Sequence, residues 1–140
     1  MSVERSFFDT NVLIYANDTA APEKQLRARA LVGEAIRSGS GCLSTQVLAE
    51  FWVNVTKKLQ VPLSRNDARR QIALFEALFL VPVDRTVFLR ALELQQRYQL
   101  SFWDAQILSA AKACGCVRVY SEDLEHGAVY DGIAVVNPFR

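Results

Sequence analysis

Short, continuous apolar runs alternate with longer amphipathic segments along this chain, and this alternation restricts the fold more than any other feature. The apolar runs lie within residues 3–8, 42–44, 80–83, 117–120 and 133–136. Continuous apolar runs are typical of strands buried on both faces, and helical crossovers between parallel strands produce such burial. The sequence therefore predicts an α/β domain with a mostly parallel sheet covered by helices on both faces.

The segments between the runs carry helical start and stop signals. Pro22 suits the first turn of a helix that ends near Ser38, before Gly39. Residues 45–60 form one continuous helical pattern, and a capping box at residues 64–67 starts the next helix, whose apolar stripe reaches Phe79. Two more helices are predicted, at about residues 86–98 and from Ser101 to Gly115.

Composition fits one compact domain, predicted to span residues 1–140. Hydrophobic residues make up 51% of the 140 residues, and the net charge of +1 gives no whole-molecule attraction to nucleic acid or membrane. No apolar run reaches transmembrane length. The odd number of cysteines (Cys42, Cys114, Cys116) and the lack of a signal peptide predict a reducing, cytoplasmic location. We interpret these cysteines as small hydrophobic residues, since too few further ligands accompany them to close a zinc site.

Acidic residues follow or adjoin the predicted strands at informative places. Asp9 and Asp123 each lie just past the carboxyl end of a strand, where parallel sheets bind ligands. Asp104 opens the helix that leads into the second of these strands and shares its apolar stripe. A carboxylate on such a stripe is costly unless its charge is compensated. Asp104 also has capping-box spacing from Ser101, so this segment alone leaves capping and function equally open.

Together, Asp9, Asp104 and Asp123, with Glu50 as a fourth candidate, have the chemistry of a site for a hard divalent cation. Mg²⁺ and Mn²⁺ prefer oxygen ligands. Two carboxylates about 5 Å apart repel by about 3 kcal/mol at an effective dielectric near 20, so a group of them needs a cation. A bound cation can activate water and neutralise charge on a phosphate.

Each of these residues also has a purely structural interpretation. Asp9 has the position of a helix N-cap, Glu50 lies off its helix's apolar face, and Glu122 competes with Asp123 for any role. We predict that Trp52 and Trp103 are core aromatics rather than base-stacking platforms. The basic run of Arg65, Arg69 and Arg70 is typical of a solvated helix face, with RNA contact as the alternative.

Four short motifs resemble those of the PIN-domain ribonucleases. The first is Phe7-Phe8-Asp9-Thr10-Asn11-Val12-Leu13, and the second is Ser44-Thr45-Gln46-Val47-Leu48-Ala49-Glu50-Phe51. The third is Ser101-Phe102-Trp103-Asp104-Ala105, and the fourth is Tyr120-Ser121-Glu122-Asp123-Leu124. The motifs occur in the family's order along the whole chain. The likeness is nearest to the VapC-like toxins of type II toxin–antitoxin pairs.

This resemblance implies a five-stranded, mostly parallel sheet and a Mg²⁺- or Mn²⁺-dependent endoribonuclease. Its acidic positions fall on Asp9, Glu50, Asp104 and Asp123, which would be both metal ligands and catalytic residues, and the fourth motif is the most variable one. Thr10, Asn11 and Ser121 would support the metal. The resemblance further implies a homodimer, an RNA substrate and a small antitoxin that covers the acidic groove.

Three other functions are compatible with parts of the pattern. A PIN-type RNA-processing nuclease outside toxin–antitoxin systems would carry the same residues, and a catalytically silent binding module could share the fold. A receiver-like phosphoacceptor would use Asp9 and Asp84, but it needs a second acid beside Asp9 and a lysine after the final strand. The chain has Phe8 and Asn137-Pro138 at those places, which disfavours that class.

Overall fold

A computed structural model describes residues 3–140, and the predicted domain span of 1–140 includes residues 1–2, which lie outside that range. Within it, six strands form one sheet. The strands are β1 (Arg5–Phe8), β2 (Gly41–Ser44), β3 (Phe79–Val81), β4 (Cys116–Tyr120), β5 (Val129–Tyr130) and β6 (Ile133–Val136). The α-helices are α1 (Thr10–Tyr15), α2 (Pro22–Ser38), α3 (Thr45–Val53), α4 (Arg65–Phe75), α5 (Arg85–Tyr98) and α6 (Phe102–Ala113). A π-helical segment, Asn54–Lys58, follows α3 directly.

The strand order is β3-β2-β1-β4-β6-β5, and the first five of these strands run parallel to their neighbours. The predicted α/β architecture is therefore confirmed, but the predicted number of five strands is wrong by one. The additional strand, β5, is antiparallel to β6. Asp131 and Gly132, with φ of 49° and 83°, form the two-residue turn between them. Positive φ at both turn positions is what a tight hairpin needs, and an Asp-Gly pair suits it.

Both faces of the central strand are covered. Phe7 and Phe8 are consecutive in β1 and point to opposite faces of the sheet, yet both are 0% exposed. Helix α2 packs on β2, and α6 packs on β2, β4 and β6. Ala105, Ala110 and Ala111 of α6 are fully buried, so this helix lies close to the sheet. Among residues 3–140, no helix has the length and apolar character needed to cross a membrane.

Two predicted helix boundaries are wrong. The pattern of residues 45–60 is one amphipathic helix in sequence, but α3 ends at Val53 and the chain widens into the π-helical segment. Leu59 N–H donates to Asn54 O at 3.2 Å and closes this wider turn. Phe79, predicted on the stripe of the fourth helix, begins β3 and is 47% exposed, with the Arg5 guanidinium over its ring at 4.1 Å.

The strand order reverses beside β1. The chain moves outward on one side through β2 and β3, and it returns to the other side of β1 through β4. The carboxyl ends of β1 and β4 are therefore neighbours, and Phe8 is paired with Tyr120 at this end. Open parallel sheets bind ligands at this kind of reversal. Asp9 and Ser121 are the first residues beyond the two strand ends.

The close packing of α2 on β2 yields a stability prediction. A Cβ added to Gly41 would lie 2.5 Å from Leu78 Cδ2 and 2.9 Å from Ala35 Cβ. We expect Gly41→Ala to lower the free energy of unfolding by about 1–3 kcal/mol through overpacking. Gly33→Ala is the matched control, because a Cβ at this mid-helix site would meet only Arg37 Nη1 at 3.4 Å, and we expect a gain of up to about 1 kcal/mol. Urea unfolding of both variants measures the difference, and equal stabilities would contradict it.

Candidate active site

A cavity of about 180 Å³ opens at the carboxyl ends of β1 and β4. All four acids singled out in the sequence, Asp9, Glu50, Asp104 and Asp123, line it. They arrive from four separate parts of the chain: the start of α1, the middle of α3, the first turn of α6 and the loop after β4. The fold thus places these carboxyl groups around one space, although residues up to 114 positions apart in sequence contribute them.

Asp9 lies deepest among the four and is 6% exposed. One carboxylate oxygen accepts a hydrogen bond from the backbone N–H of Thr10 at 2.7 Å. The other accepts from the hydroxyl of Ser121 at 2.7 Å. Asp9 is also the N-cap of α1. Capping and placement in the cavity are therefore compatible, since the local hydrogen bond orients the carboxylate without closing the cavity.

Burial sets the ionisation of Asp9. Loss of hydration raises the pKa of its carboxyl group to about 6, against the opposing hydrogen bonds from Ser121 and Thr10. The nearby charges of Asp123 and Glu50 raise it further. A cation in the cavity would reverse this balance, because it would favour the ionised form.

Asn11 and Ser121 connect the first and last acidic motifs. The Asn11 side-chain amide donates to Asp9 Oδ2 at 3.4 Å and to Asp123 Oδ2 at 3.2 Å. Its carbonyl oxygen accepts from the backbone N–H of Glu122 at 3.1 Å. The Ser121 hydroxyl oxygen accepts from the backbone N–H groups of Asp123 and Leu124 at 3.1 and 3.2 Å. These bonds hold the loop after β4 against the start of α1.

The geometry distinguishes Asp123 from its neighbour Glu122. Asp123 lines the cavity, whereas Glu122 is turned away from it. The Glu122 carboxylate pairs with Lys24 Nζ at 2.6 Å and accepts from the Tyr15 hydroxyl at 2.8 Å. Partial burial alone would raise the pKa of Glu122, but the bonds from Lys24 and Tyr15 hold it below its usual range. Glu122 is thus already occupied by a structural ion pair.

Asp104 is half-buried at the mouth of the cavity. Its backbone N–H donates to the Ser101 hydroxyl at 3.1 Å, so Ser101 caps α6 as predicted. The Asp104 carboxylate itself faces the other acids. Partial burial raises its pKa, the Ser101 side chain lowers it, and the charge of Asp123 raises it again. The first-turn position and the cavity position are again compatible.

Glu50 is held by two buried glutamines that the sequence reading missed. Gln106 Nε2 donates to Gln46 Oε1 at 2.9 Å, and Gln46 Nε2 donates to Glu50 Oε1 at 2.9 Å. Gln46 and Gln106 are only 9% and 6% exposed. The first bond fixes which way the Gln46 amide points, so its N–H group must face Glu50. Glu50 is half-buried and not the fully solvated residue that helical periodicity alone suggested. Four-residue spacing from Gln46 on one helix was the only available signal.

The Thr10 hydroxyl offers an independent test of whether these residues suit a metal. Thr10 is 5% exposed and lines the cavity, and its Oγ1 is a buried polar atom with no hydrogen-bond partner within the described residues. A buried oxygen of this kind costs free energy unless a ligand or water satisfies it. Carboxylates and a hydroxyl form the oxygen-rich donor set that Mg²⁺ and Mn²⁺ prefer. The donor chemistry therefore fits a hard divalent cation.

Other residues considered from the sequence lie outside this cavity. Asp84 caps α5 by accepting from Val87 N–H at 2.9 Å and does not line the cavity, so it is not placed beside Asp9 as a receiver-like site would need. Arg65, Arg69 and Arg70 are exposed on α4. Cys42, Cys114 and Cys116 are buried, as predicted, but their Sγ atoms lie within 4.8 Å of one another, a convergence that their spacing does not predict.

Comparison with known proteins identifies the fold. The sequence profile described as PIN domain matches residues 6–131. No curated protein matches the chain in sequence. A structure titled toxin–antitoxin complex from Klebsiella pneumoniae is 21% identical with a TM-score of 0.68, and the match covers 95% of this chain and 97% of that one. VapC20 of Mycobacterium tuberculosis, a toxin that cleaves the sarcin–ricin loop, is 20% identical with a TM-score of 0.65, covering 84% and 89%.

A third similar structure is VapBC2 from Rickettsia felis bound to a DNA fragment of its promoter. It is 14% identical, with a TM-score of 0.66 and coverage of 93% and 96%. At these identities the structures show a shared fold.

The buried carboxyl group of Asp9 gives a pH-dependent prediction. Its pKa rises from 3.8 in a solvated reference to about 6 in the folded chain, so the native state binds more protons than the unfolded state between these pH values. Without metal, the free energy of unfolding should therefore fall by about 2 kcal/mol as pH rises from 4 to 6. Urea unfolding in chelator measures this. The difference between wild type and Asp9→Asn isolates the effect, and parallel pH profiles for the two proteins would contradict it.

Proposed function

The chain belongs to the PIN domain family, and from this premise we propose that it is a Mg²⁺- or Mn²⁺-dependent endoribonuclease. We further propose that it is the toxin of a toxin–antitoxin pair. The observation that carries the proposal is the cavity at the strand-order reversal, where Asp9, Glu50, Asp104 and Asp123 surround one space.

In this proposal the four acids hold the metal. When bound, a divalent cation supplies a more acidic water and neutralises charge that develops on the phosphate. Asp9 is a ligand in its ionised form, and the hydrogen bonds from Thr10 N–H and Ser121 keep its two oxygens oriented. Asn11 holds Asp123 at a set distance from Asp9. Preorganisation of this kind reduces the ordering that ligand binding otherwise requires.

Glu50 has a different environment from the three aspartates. Among residues 3–140, the Gln46 side-chain amide is the one hydrogen-bond donor to its carboxylate, and Gln106 holds that amide in place. One Glu50 oxygen therefore stays available for the metal or for a proton from the attacking water. Hydrolysis needs such a group, because the water must lose a proton as it adds to phosphorus and the leaving oxygen must gain one.

We also propose that the protein forms a homodimer. Three exposed apolar side chains of α5 support this idea: Phe88, Leu89 and Leu92, at 43%, 41% and 43% exposure. Neighbouring exposed apolar residues are typical of protein contacts. Light scattering of the purified protein gives the number of copies directly.

Cleavage of RNA tests the central proposal. We expect the purified protein to cut single-stranded RNA with Mg²⁺ or Mn²⁺ and to stop when EDTA is added, because a bound metal would activate the attacking water and neutralise charge on the phosphate. Asp123→Asn should lower the rate at least about 100-fold. Glu122→Gln is the matched control: it is adjacent in sequence, but it removes only a partly exposed ion pair, so its activity should stay near that of wild type.

Two results would contradict the proposal. Undiminished cleavage in EDTA, with an equally purified Asp9→Asn preparation showing none, would exclude a metal-dependent reaction. Absence of cleavage of RNA from the native host in either metal would favour a catalytically silent PIN-type module.

The toxin assignment is tested separately. An antitoxin would silence the enzyme by inserting an arginine or lysine among the carboxylates, because a cation there relieves their repulsion. Three solved structures of similar fold, from Klebsiella pneumoniae, Rickettsia felis and Salmonella typhimurium, contain toxin–antitoxin pairs, which supports this part. Expression of the chain alone should slow growth, and co-expression of the adjacent small gene should restore it and yield a co-purifying complex. Normal growth and elution of the chain alone would indicate an RNA-processing nuclease outside such systems.

A further inference from the structure

Trp103 is exposed beside the acidic cavity, contrary to the core position predicted from its place in an apolar segment. Its side chain is 61% exposed, whereas Trp52 is partly buried against the core. Exposing a large aromatic side chain costs free energy in water. A tryptophan that stays exposed next to a candidate catalytic cavity therefore suggests a ligand that covers it.

The indole is held in a defined place. Phe102 packs against it edge to face, with ring centroids 5.1 Å apart and an interplanar angle of 77°. Phe88 in turn packs against Phe102 at 5.7 Å. The backbone oxygen of Trp103 accepts from Gln46 Nε2 at 3.4 Å. Such a side chain loses little further freedom when a ligand stacks on it.

Trp103 lines two adjoining cavities. One is the acidic cavity of about 180 Å³. The other is a cleft of about 550 Å³, which shares Gln46, Glu50, Asn54 and Trp103 with the first. We call it the Trp103 cleft. Its volume lies within the range typical of small-molecule sites, about 300–1,000 Å³, so it is large enough for a nucleotide beside the reacting phosphate.

The polar groups of the Trp103 cleft suit a nucleotide. Asn54 and Lys58 line it, and they are the first and last residues of the π-helical segment. The Asn54 amide N–H donates to Glu50 O at 2.7 Å, which leaves its side-chain oxygen for a ligand. Within residues 3–140, Lys58 forms no ion pair. Irregular π-helical turns are frequent at functional sites, and here the turn brings an amide and a cation to one cleft.

We propose that the Trp103 cleft is a nucleobase subsite, in which a base of single-stranded RNA stacks on the indole and Lys58 contacts a neighbouring phosphate. This inference rests on the proposed nuclease function. The cleft and the acidic cavity share four lining residues, Trp103 among them, so a strand with its phosphate among the acids can continue into the cleft. Stacking accepts any base, and the Asn54 side-chain oxygen adds one acceptor for an amino or imino N–H, a group that every RNA base carries.

The cleft is lined by the apolar side chains of Ala49, Val53 and Val83 as well as by Asn54 and Lys58, and the two polar groups favour RNA over a purely apolar protein segment. An apolar partner would leave Asn54 Oδ1 and Lys58 Nζ facing an apolar surface, at the cost of their hydration. A nucleotide satisfies all three groups. Its base edge can donate to the Asn54 amide oxygen, its π face can stack on the Trp103 indole, and its phosphate can pair with the Lys58 ammonium group.

The subsite is tested by measuring the binding of an oligoribonucleotide of about 10 nucleotides with Mg²⁺. The measurement uses the Asp9→Asn background, which keeps the RNA intact. Trp103→Ala should weaken binding about tenfold, equal to about 1.4 kcal/mol, and Trp103→Phe should stay within about threefold of the parent. An abasic sugar–phosphate strand of the same length should bind Trp103→Ala and its parent equally, because it has no base to stack.

The salt dependence separates the two contacts. Lys58→Ala should reduce the slope of log K against log salt by about 1, whereas Trp103→Ala should leave that slope unchanged. Leu26→Ala is the matched control for loss of an exposed apolar side chain, since Leu26 is 74% exposed on α2 and lines neither cavity. Each variant is also made in the otherwise wild-type chain as a folding control. A circular dichroism spectrum and a Mg²⁺-induced rise in melting temperature that match wild type exclude a disturbed α6.

Three results would overturn the subsite. Equal RNA affinity of Trp103→Ala and its parent, while wild type still cleaves RNA, removes it and leaves the nuclease proposal standing. Unchanged RNA affinity with loss of antitoxin binding, or with loss of the homodimer, assigns Trp103 to a protein contact. Absence of any RNA binding or metal-dependent cleavage by wild type overturns the subsite together with the proposed function.

Discussion

The carboxyl group of Asp9 is almost fully removed from water at the carboxyl end of the central strand, and much of the surrounding structure depends on that position. Ser121, the N–H of Thr10 and Asn11 all donate to it. The same groups also fix the loop after β4, because Ser121 and Asn11 accept from the backbone of residues 122–124. One buried acid thus joins the two strands beside which the order of the sheet reverses. Without these hydrogen bonds, burial would raise the pKa of the Asp9 carboxyl group still further.

Capping and function turn out to be compatible for the two aspartates at helix starts. Asp9 caps α1 with one oxygen and keeps its carboxylate at the cavity. Asp104 is not itself a cap: Ser101 caps α6 by accepting from the Asp104 N–H, which leaves the Asp104 carboxylate free to face the cavity. A helix start is a suitable place for an acid of a metal site, because the partial positive charge of the helix favours the ionised carboxylate while the backbone determines its direction. The sequence pattern could not separate these interpretations because both require an acid at the same position.

Much of the architecture was predictable because it depends on burial in continuous runs. The parallel strands that precede Asp9 and Ser121 follow from apolar runs that stop at polar residues, and the resemblance of four motifs supported Glu50, which periodicity alone did not favour. The extra strand β5 was missed because it has only two residues, although the Asp131-Gly132 turn beside it is a recognised hairpin signal. The π-helical segment was missed because its residues continue the apolar spacing of α3, and only the hydrogen-bond pattern distinguishes it.

The two glutamines and Trp103 show where sequence reasoning reaches its limit. Gln46 and Gln106 lie 60 positions apart, and each alone is an ordinary helical residue. Their buried contact exists only because α3 and α6 meet there. It fixes the direction of the Gln46 amide, which donates to the Glu50 carboxylate, and periodicity had placed Glu50 in solvent. Trp103 shows the opposite error: an aromatic residue in an apolar helix was expected in the core, but it lies in the first turn of α6 and is 61% exposed. The start of α6 therefore places the Asp104 carboxylate at the cavity and leaves the Trp103 indole exposed to water beside it.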